Sequence, residues 1–240
     1  MDAVSMGAIP AHERHGTRAA QEARLGQLLT DAAQGRFPPQ DGGVTIMAAP
    51  SRRDTGVISF TAHAVIFTDA DPGWVRAQLP PGDLGAPVSA AFLQTLAVAT
   101  GRKAGSLDLL CVAESLDGPP PVELTPEPES THSRMLRALN YRDEVRSWRA
   151  DGGVVILGRG VAGRLETAIE VDEERRGQGL GRRLAVAARH LAPSGTALWA
   201  QVAPGNAASV RAFFAAGFVP VGAEVLLSAS RDHDFASARS

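Results

Sequence analysis

Arg175-Arg176-Gly177-Gln178-Gly179-Leu180-Gly181 is the stretch of this sequence that decides the fold. The run before it, residues 165–171, is typical of a β-strand, and the run that continues to His190 is typical of a helix. Glycines let the backbone approach a ligand closely, and the N–H groups at a helix start all point one way. Because arginines also suit a pyrophosphate, the stretch predicts a site for a phosphorylated cofactor.

A second pattern follows after another strand-like run, residues 197–202. Asn206-Ala207-Ala208-Ser209 opens a helix-like segment that contains Phe213 and ends at Gly217-Phe218. The glycine-rich turn, the strand and this helix, in that order, resemble the GCN5-related N-acetyltransferase (GNAT) family over roughly residues 131–228. The first 115 residues show no such resemblance.

The resemblance implies the α/β (α+β) class, with a mixed, mostly antiparallel sheet flanked by helices. It implies an N-acyltransferase that moves an acetyl or short acyl group from acetyl-CoA, or a related acyl-CoA, to a primary amine by direct attack. The pantetheine arm would bond to the strand edge near Ile169 and Val171, in a gap between this strand and residues 197–202. The pyrophosphate would lie on the N–H groups of Arg176, Gly177, Gln178, Gly179, Leu180 and Gly181.

The helix after the second strand is predicted to complete the cofactor site. Asn206 would bond to the pantetheine or simply cap its helix, and both roles are compatible. Many family members carry a tyrosine, the general acid for the thiolate, where this chain has Phe213. Ser209, one turn earlier, is predicted to bond to the sulfur or the cofactor instead. The chain's only tyrosine, Tyr141, is predicted to be a buried aromatic, and the alternative is that it reaches the site from the substrate side.

Two acidic residues on the strand before the turn are candidate general bases. Glu166 and Glu170 are four residues apart and therefore share one face of the strand. A partly buried carboxylate there is expected to have a raised pKa, which suits it to deprotonate the amine. The alternatives are an ion pair with Arg159 or Arg164, or proton loss through water. By resemblance, a backbone N–H of residues 169–171 would stabilise the oxyanion.

Composition excludes several other classes of function. The chain has 240 residues and a net charge of −2, which gives no basic field for nucleic acid. One cysteine allows neither an internal disulfide nor a cysteine-cluster metal site, and we predict no metal. No apolar run approaches a membrane span, so we expect no membrane partner and a cytoplasmic protein. The glycine spacing does not fit a dinucleotide fold, and the only lysine, Lys103, is not in a P-loop, so NAD and ATP are disfavoured.

A proline-rich segment at residues 117–130 is the predicted boundary between two domains. The first half is interpreted as a degenerate GNAT-like repeat or a family-specific α/β extension, which covers the acceptor side or forms a homodimer. The acceptor, a small-molecule or peptide amine, is not determined by the sequence. The alternative functions are a non-catalytic acyl-CoA-binding or sensing module, favoured by Phe213, and a structural subunit, disfavoured by the intact turn. The full division is a disordered lead-in (1–16), an N-terminal α/β domain (17–116), the linker, the acetyltransferase domain (131–229) and a tail (230–240).

Overall fold

The structure is a computed structural model that describes residues 17–229, so the predicted lead-in and tail lie outside the described residues. The helices are α1 (Arg18–Ala33), α2 (Pro72–Ala77), α3 (Ala90–Thr100), α4 (Ser133–Leu139), α5 (Leu180–Leu191) and α6 (Ala207–Ala215). The strands are β1 (Val44–Met47), β2 (Gly56–Phe60), β3 (His63–Phe67), β4 (Arg102–Ala104), β5 (Asp108–Glu114), β6 (Thr125–Pro126), β7 (Asp143–Ala150), β8 (Gly153–Arg159), β9 (Leu165–Val171), β10 (Ala197–Val202) and β11 (Val219–Ala229).

One mixed sheet contains strands from both halves of the chain. Its order is β1-β3-β2-β11-β5-β10-β9-β8-β7-β6, and β4 pairs separately with β11. Two neighbouring pairs, β1 with β3 and β9 with β10, are parallel, whereas the other pairs among the described strands are antiparallel. The predicted fold class, a mixed and mostly antiparallel sheet flanked by helices, is therefore confirmed.

Helices cover both faces of this sheet. Val154 and Ile156 of β8 pack against α4, whereas Val155 and Leu157 belong to the core cluster under α5 and α6. Because successive strand residues point to opposite faces, α4 and α5 lie on opposite sides of the sheet. Among the helices that the structure describes, none is both long and apolar enough to cross a membrane.

The two halves of the chain interleave within the sheet. β11, the last strand, lies between β2 and β5, and β5 of the first half lies between β11 and β10. Glu224 of β11 is thereby opposite Asp108 of β5, and Val202 of β10 is opposite Leu109. The predicted division into two domains stays a prediction, but the hydrogen-bonded sheet runs through both of them.

Two local predictions can be compared with the observed strands. The β-branched and aromatic residues of 56–68 predict one long strand, which is wrong, because the chain reverses at Thr61-Ala62 to form β2 and β3. Ala62 has a φ of 53°, which is uncommon for alanine and which the sequence pattern does not predict. The sequence of residues 218–228 is compatible with one strand or with a hairpin around Gly222; the structure has a single strand, β11, with a bulge between Pro220 and Gly222.

Candidate functional site

A wedge-shaped gap opens between the parallel strands β9 and β10. In the described structure these strands pair at two positions, Leu165 with Leu198 and Glu166 with Trp199. The other edge of β9 is paired with β8 along its whole length. The edge of residues 167–171 that faces β10 therefore has no strand partner there. Apart from the Val171 carbonyl, which accepts a hydrogen bond from the Arg176 side chain at 3.4 Å, its backbone groups are available to a ligand.

The glycine-rich turn lies just beyond the end of β9. Gly177 and Gly179 both have a φ of +75°, which is the left-handed region that favours glycine. A Cβ at either position would meet no described atom within 4 Å, so the turn is open on its outer side. Gly179 is the N-cap of α5, and no described side chain caps this helix. Its first N–H groups therefore suit an anion, in agreement with the predicted phosphate site, which stays a prediction.

A cleft of about 430 Å³ occupies the gap and continues onto the face that carries α4. β9 contributes residues 166–169 to its walls, and β10 contributes Gln201 and Val202. The first half of the chain contributes Gly105, Ser106 and Asp108. The opposite wall is formed by α4 and the segment after it, with Arg134, Arg137, Tyr141 and Arg142. The cleft therefore joins the open edge of β9 to residues of both halves.

The three predicted residues around α6 all line this cleft. Asn206 caps α6, because its side-chain oxygen accepts a hydrogen bond from the Ser209 N–H at 3.1 Å. Ser209 is half-buried, and its hydroxyl lies one turn from Phe213. Phe213 is buried and packs edge-on against Phe218 at a ring distance of 4.9 Å. The capping role of Asn206 is thus observed, whereas the cofactor contacts of all three residues stay predictions.

Glu166 is part of a buried ionic network at the floor of the cleft. Its carboxylate accepts hydrogen bonds from Arg164 and Arg142, each at 2.7 Å. Arg164 also makes a two-pronged ion pair with Glu224, at 2.9 and 2.6 Å. Gln201 donates to Glu224 at 2.7 Å and closes the network. All of the ionic bonds of Glu166 are therefore directed within the protein.

The electrostatics of Glu166 differ from the expectation for a general base. Burial alone would raise the pKa of Glu166, but the Arg164 and Arg142 guanidiniums outweigh it and lower the pKa to about 2. The expected rise of its pKa is therefore wrong. The alternative of an ion pair with Arg164 is observed. A carboxylate so strongly held as an anion is a poor proton acceptor near neutral pH, which weighs against a catalytic role for Glu166.

The low pKa of Glu166 predicts a specific dependence of stability on pH. Its contribution to the free energy of unfolding is complete above its ordinary pKa of 4.5 and is lost as the pH falls towards 2. We expect the stability of Glu166→Gln to fall less steeply than that of the native protein between these pH values, as measured by urea unfolding. If the stabilities of the two proteins fell in parallel with pH, the lowered pKa of Glu166 would be contradicted.

Glu170, the other candidate base, also points to the face that carries α4. It forms an ion pair with Arg134 of α4 at 3.0 Å, and its side chain is 33% exposed. Arg134 itself lines the cleft. Both predicted carboxylates therefore share one face of β9, as the strand period indicated, but Glu170 alone of the two retains contact with solvent.

Two further cleft residues were missed or misjudged from the sequence. Asp108 begins β5, a segment predicted only as a buried strand. The place of β5 beside β10 and β11 brings this residue to the cleft, and no local pattern indicates that pairing. The prediction of a buried Tyr141 is wrong, because the residue is 36% exposed. It lines the cleft, which agrees with the alternative that it reaches the site. Its position just after the short helix α4, in a connecting segment, was the feature of the sequence that could have indicated exposure.

Parts of this chain are similar to one protein family and to several solved structures. Residues 126–218 match the model of the acetyltransferase (GNAT) family. No curated protein matches the chain. Among solved structures, an acetyltransferase of the GNAT family from Colwellia psychrerythraea is 12% identical with a TM-score of 0.36; 58% of this chain covers 62% of that one. A GCN5-related N-acetyltransferase from Kribbella flavida is 15% identical with a TM-score of 0.40, over 88% of this chain and 96% of that one.

Proposed function

We propose that this chain, whose residues 126–218 match the model of the acetyltransferase (GNAT) family, transfers an acetyl or short acyl group from acyl-CoA to a primary amine. The observation that carries the proposal is the gap between β9 and β10, which opens beyond Glu166 and Trp199 next to the glycine-rich turn. A long, flexible cofactor with a phosphate at one end and a reactive group at the other suits this shape.

The residues present fit such a cofactor. Gly177 and Gly179 leave the turn open to a pyrophosphate, and the exposed Arg176 adds a positive charge beside it. The backbone of residues 167–171 offers hydrogen bonds to an extended chain, as one strand does to another. These contacts support acyl-CoA in preference to a cofactor that lacks an extended arm.

Acyl-CoA supplies the acyl group as an activated thioester. The amine nitrogen forms a bond to the acyl carbon while the carbon–sulfur bond breaks. The substrate ammonium releases two protons, of which one goes to the departing thiolate and the other to a base or to water. Because the thiol pKa is about 8.5, the thiolate leaves near neutral pH without help from an acid, and Phe213 does not prevent transfer. Glu170 is the proposed base, and Ser209 is the proposed hydrogen-bond donor near the sulfur.

Substitution of the proposed base tests its role directly. We expect Glu170→Gln to lower kcat about 100-fold, because a general base contributes about that much or more. The measurement is the release of free thiol from acetyl-CoA with a saturating amine. Glu129→Gln, which changes an exposed glutamate of the proline-rich segment, is the matched control and keeps the native rate. A rate for Glu170→Gln equal to that of the control would remove Glu170 from the mechanism.

Calorimetry and thiol release together test the proposed function. We expect acetyl-CoA and CoA to bind the protein, and thiol release to exceed the amine-free rate for at least one of four classes of acceptor. These classes are amino acids, amino acid amides, polyamines and peptides with a free N-terminus. Failure of both CoA species to bind would overturn the proposal.

The second candidate function is a non-catalytic acyl-CoA-binding or sensing module. The observation in its favour is Phe213, which lines the cleft where many family members have an acidic hydroxyl. This candidate predicts binding of acetyl-CoA without thiol release for any of the four acceptor classes. The same pair of measurements therefore distinguishes the two functions.

A further inference from the structure

The cleft contains two opposite charges that no ion pair neutralises. Six charged side chains line it, and four of them are paired within the protein: Arg134 with Glu170, Arg142 and Glu166 with each other, and Glu224 with Arg164. Within residues 17–229, the remaining two, Asp108 and Arg137, form no salt bridge. The side chain of Asp108 accepts one hydrogen bond, from the Ser106 hydroxyl at 2.9 Å.

These two residues line the same cleft, beside the gap in which the proposed acyl transfer would occur. Asp108 directly precedes Leu109, which is opposite Val202 at the end of β10, where the gap is open. Arg137 belongs to α4, whose Met135 and Ala138 pack against Val154 and Ile156 of β8, on the face of the sheet onto which the cleft continues. The two side chains face one cleft, and Arg137 acts on Asp108 through space without contacting it.

The environment of Asp108 favours a cation. Burial raises the pKa of Asp108, and the hydrogen bond from Ser106 and the charge of Arg137 only partly oppose this. A half-buried carboxylate with incomplete compensation gains from a positively charged ligand. The exposed guanidinium of Arg137 likewise suits a carboxylate, which it can bind with two parallel hydrogen bonds.

We propose that the acceptor is an amino acid, whose ammonium binds Asp108 and whose carboxylate binds Arg137, so that the nitrogen faces the gap between β9 and β10. This inference rests on the proposed function and identifies the class of its acceptor. A polyamine would bring a second positive charge towards Arg137, and a peptide N-terminus has no carboxylate beside its amine. Because Asp108 comes from the first half of the chain, that half supplies part of the acceptor specificity.

A matched panel of acceptors tests this proposal. Thiol release is measured with α-, β- and γ-amino acids, with the amide of each, and with the corresponding amines that lack the carboxylate. We expect kcat/KM for the preferred amino acid to exceed that of its amide by about 10- to 100-fold, the value of a charge-assisted hydrogen bond. Equal or higher values for the amides or the simple amines would overturn the proposal.

Two variants connect the preference to the two residues. Arg137→Gln is expected to remove most of the preference of amino acid over amide, whereas Asp108→Asn lowers kcat/KM for both. Arg146→Gln, which changes an exposed arginine stacked on Trp148 outside the cleft, is the matched control and keeps the preference. An unchanged preference in Arg137→Gln contradicts the assignment of the carboxylate site. Since Asp108 and Arg137 are in no salt bridge, circular dichroism and urea unfolding should show a native fold in both variants.

Calorimetry separates a failure of this proposal from a failure of the proposed function. If neither acetyl-CoA nor CoA binds, the proposed function fails. If CoA binds and only acceptors without a carboxylate are acylated, the amino acid proposal alone fails. If CoA binds and nothing is acylated, calorimetry measures the binding of amino acids to the CoA-loaded protein. Weaker binding to Arg137→Gln and to Asp108→Asn than to the native protein supports the acceptor site. Absence of amino acid binding to the native protein overturns it.

Discussion

Replacement of Arg164 by methionine is expected to lower the free energy of unfolding by about 3–5 kcal/mol at pH 7, the usual cost of removing one partner from a buried ion pair. Arg164 is buried between Glu166 and Glu224. Without it, Glu166 keeps its bond to Arg142, but Glu224 keeps only the amide of Gln201. Burial of the uncompensated Glu224 carboxylate is therefore the main cost. Urea unfolding monitored by circular dichroism measures it.

Two further variants show that the loss comes from the network. Arg159→Met changes an exposed arginine 3.6 Å from Glu144 and is expected to cost less than about 1 kcal/mol. Arg164→Met combined with Glu224→Gln removes the orphaned charge and should recover part of the lost stability. A loss in Arg164→Met no larger than in Arg159→Met, or no recovery in the double variant, would contradict the proposed energetics.

The second large effect is expected at the glycine-rich turn. Gly177→Ala combined with Gly179→Ala introduces two side chains where φ is +75°. Because a left-handed conformation costs an L-residue about 1–2 kcal/mol, the turn relaxes away from the shape that exposes its N–H groups. Acetyl-CoA binds only to the original shape, so binding must restore both left-handed conformations. If each costs the full ~1–2 kcal/mol, the affinity for acetyl-CoA falls by about 30- to 1000-fold. Calorimetric titration of the folded variant measures the change.

A glycine outside the site provides the control for backbone strain. Gly195 has a φ of +73°, and a Cβ there would meet no described atom within 4 Å. Gly195→Ala therefore carries the same local strain in the turn before β10, and it should lower thermal stability without a change in affinity for acetyl-CoA. Equal losses of affinity in Gly195→Ala and in the double variant would show that the turn is not the binding element.

The elements near the site could be predicted from the sequence because their signals are local. β10 has the predicted bounds of residues 197–202, and α5 ends at Leu191, one residue after the predicted end at His190. Alternating apolar residues and a glycine-rich turn specify such segments without reference to the rest of the chain. The relation between the two strands was inferred from the family resemblance, and the observed pairing ends after Glu166 and Trp199.

The chemistry of the carboxylates could not be predicted in the same way. The low pKa of Glu166 depends on Arg164, which is held by Glu224 of β11, and on Arg142, which follows α4. Asp108 reaches the cleft because β5 lies beside β10. Pairings between strands that are distant in the sequence arise from packing, and the hydrophobic pattern of one strand does not determine which strand pairs with it. The sequence therefore could not predict which side chains of the first half, such as Asp108, line the cleft.

The position of β11 between β2 and β5 also has a consequence for how the protein folds. Gly56 of β2 pairs with Leu226 of β11, so β2 completes its pairing only when the last described strand has emerged. Contacts of such long range close large loops and slow the search for the native state. During synthesis, the edges of β2 and β5 that face β11 stay unpaired until that strand arrives, and an unpaired edge is open to association with another chain.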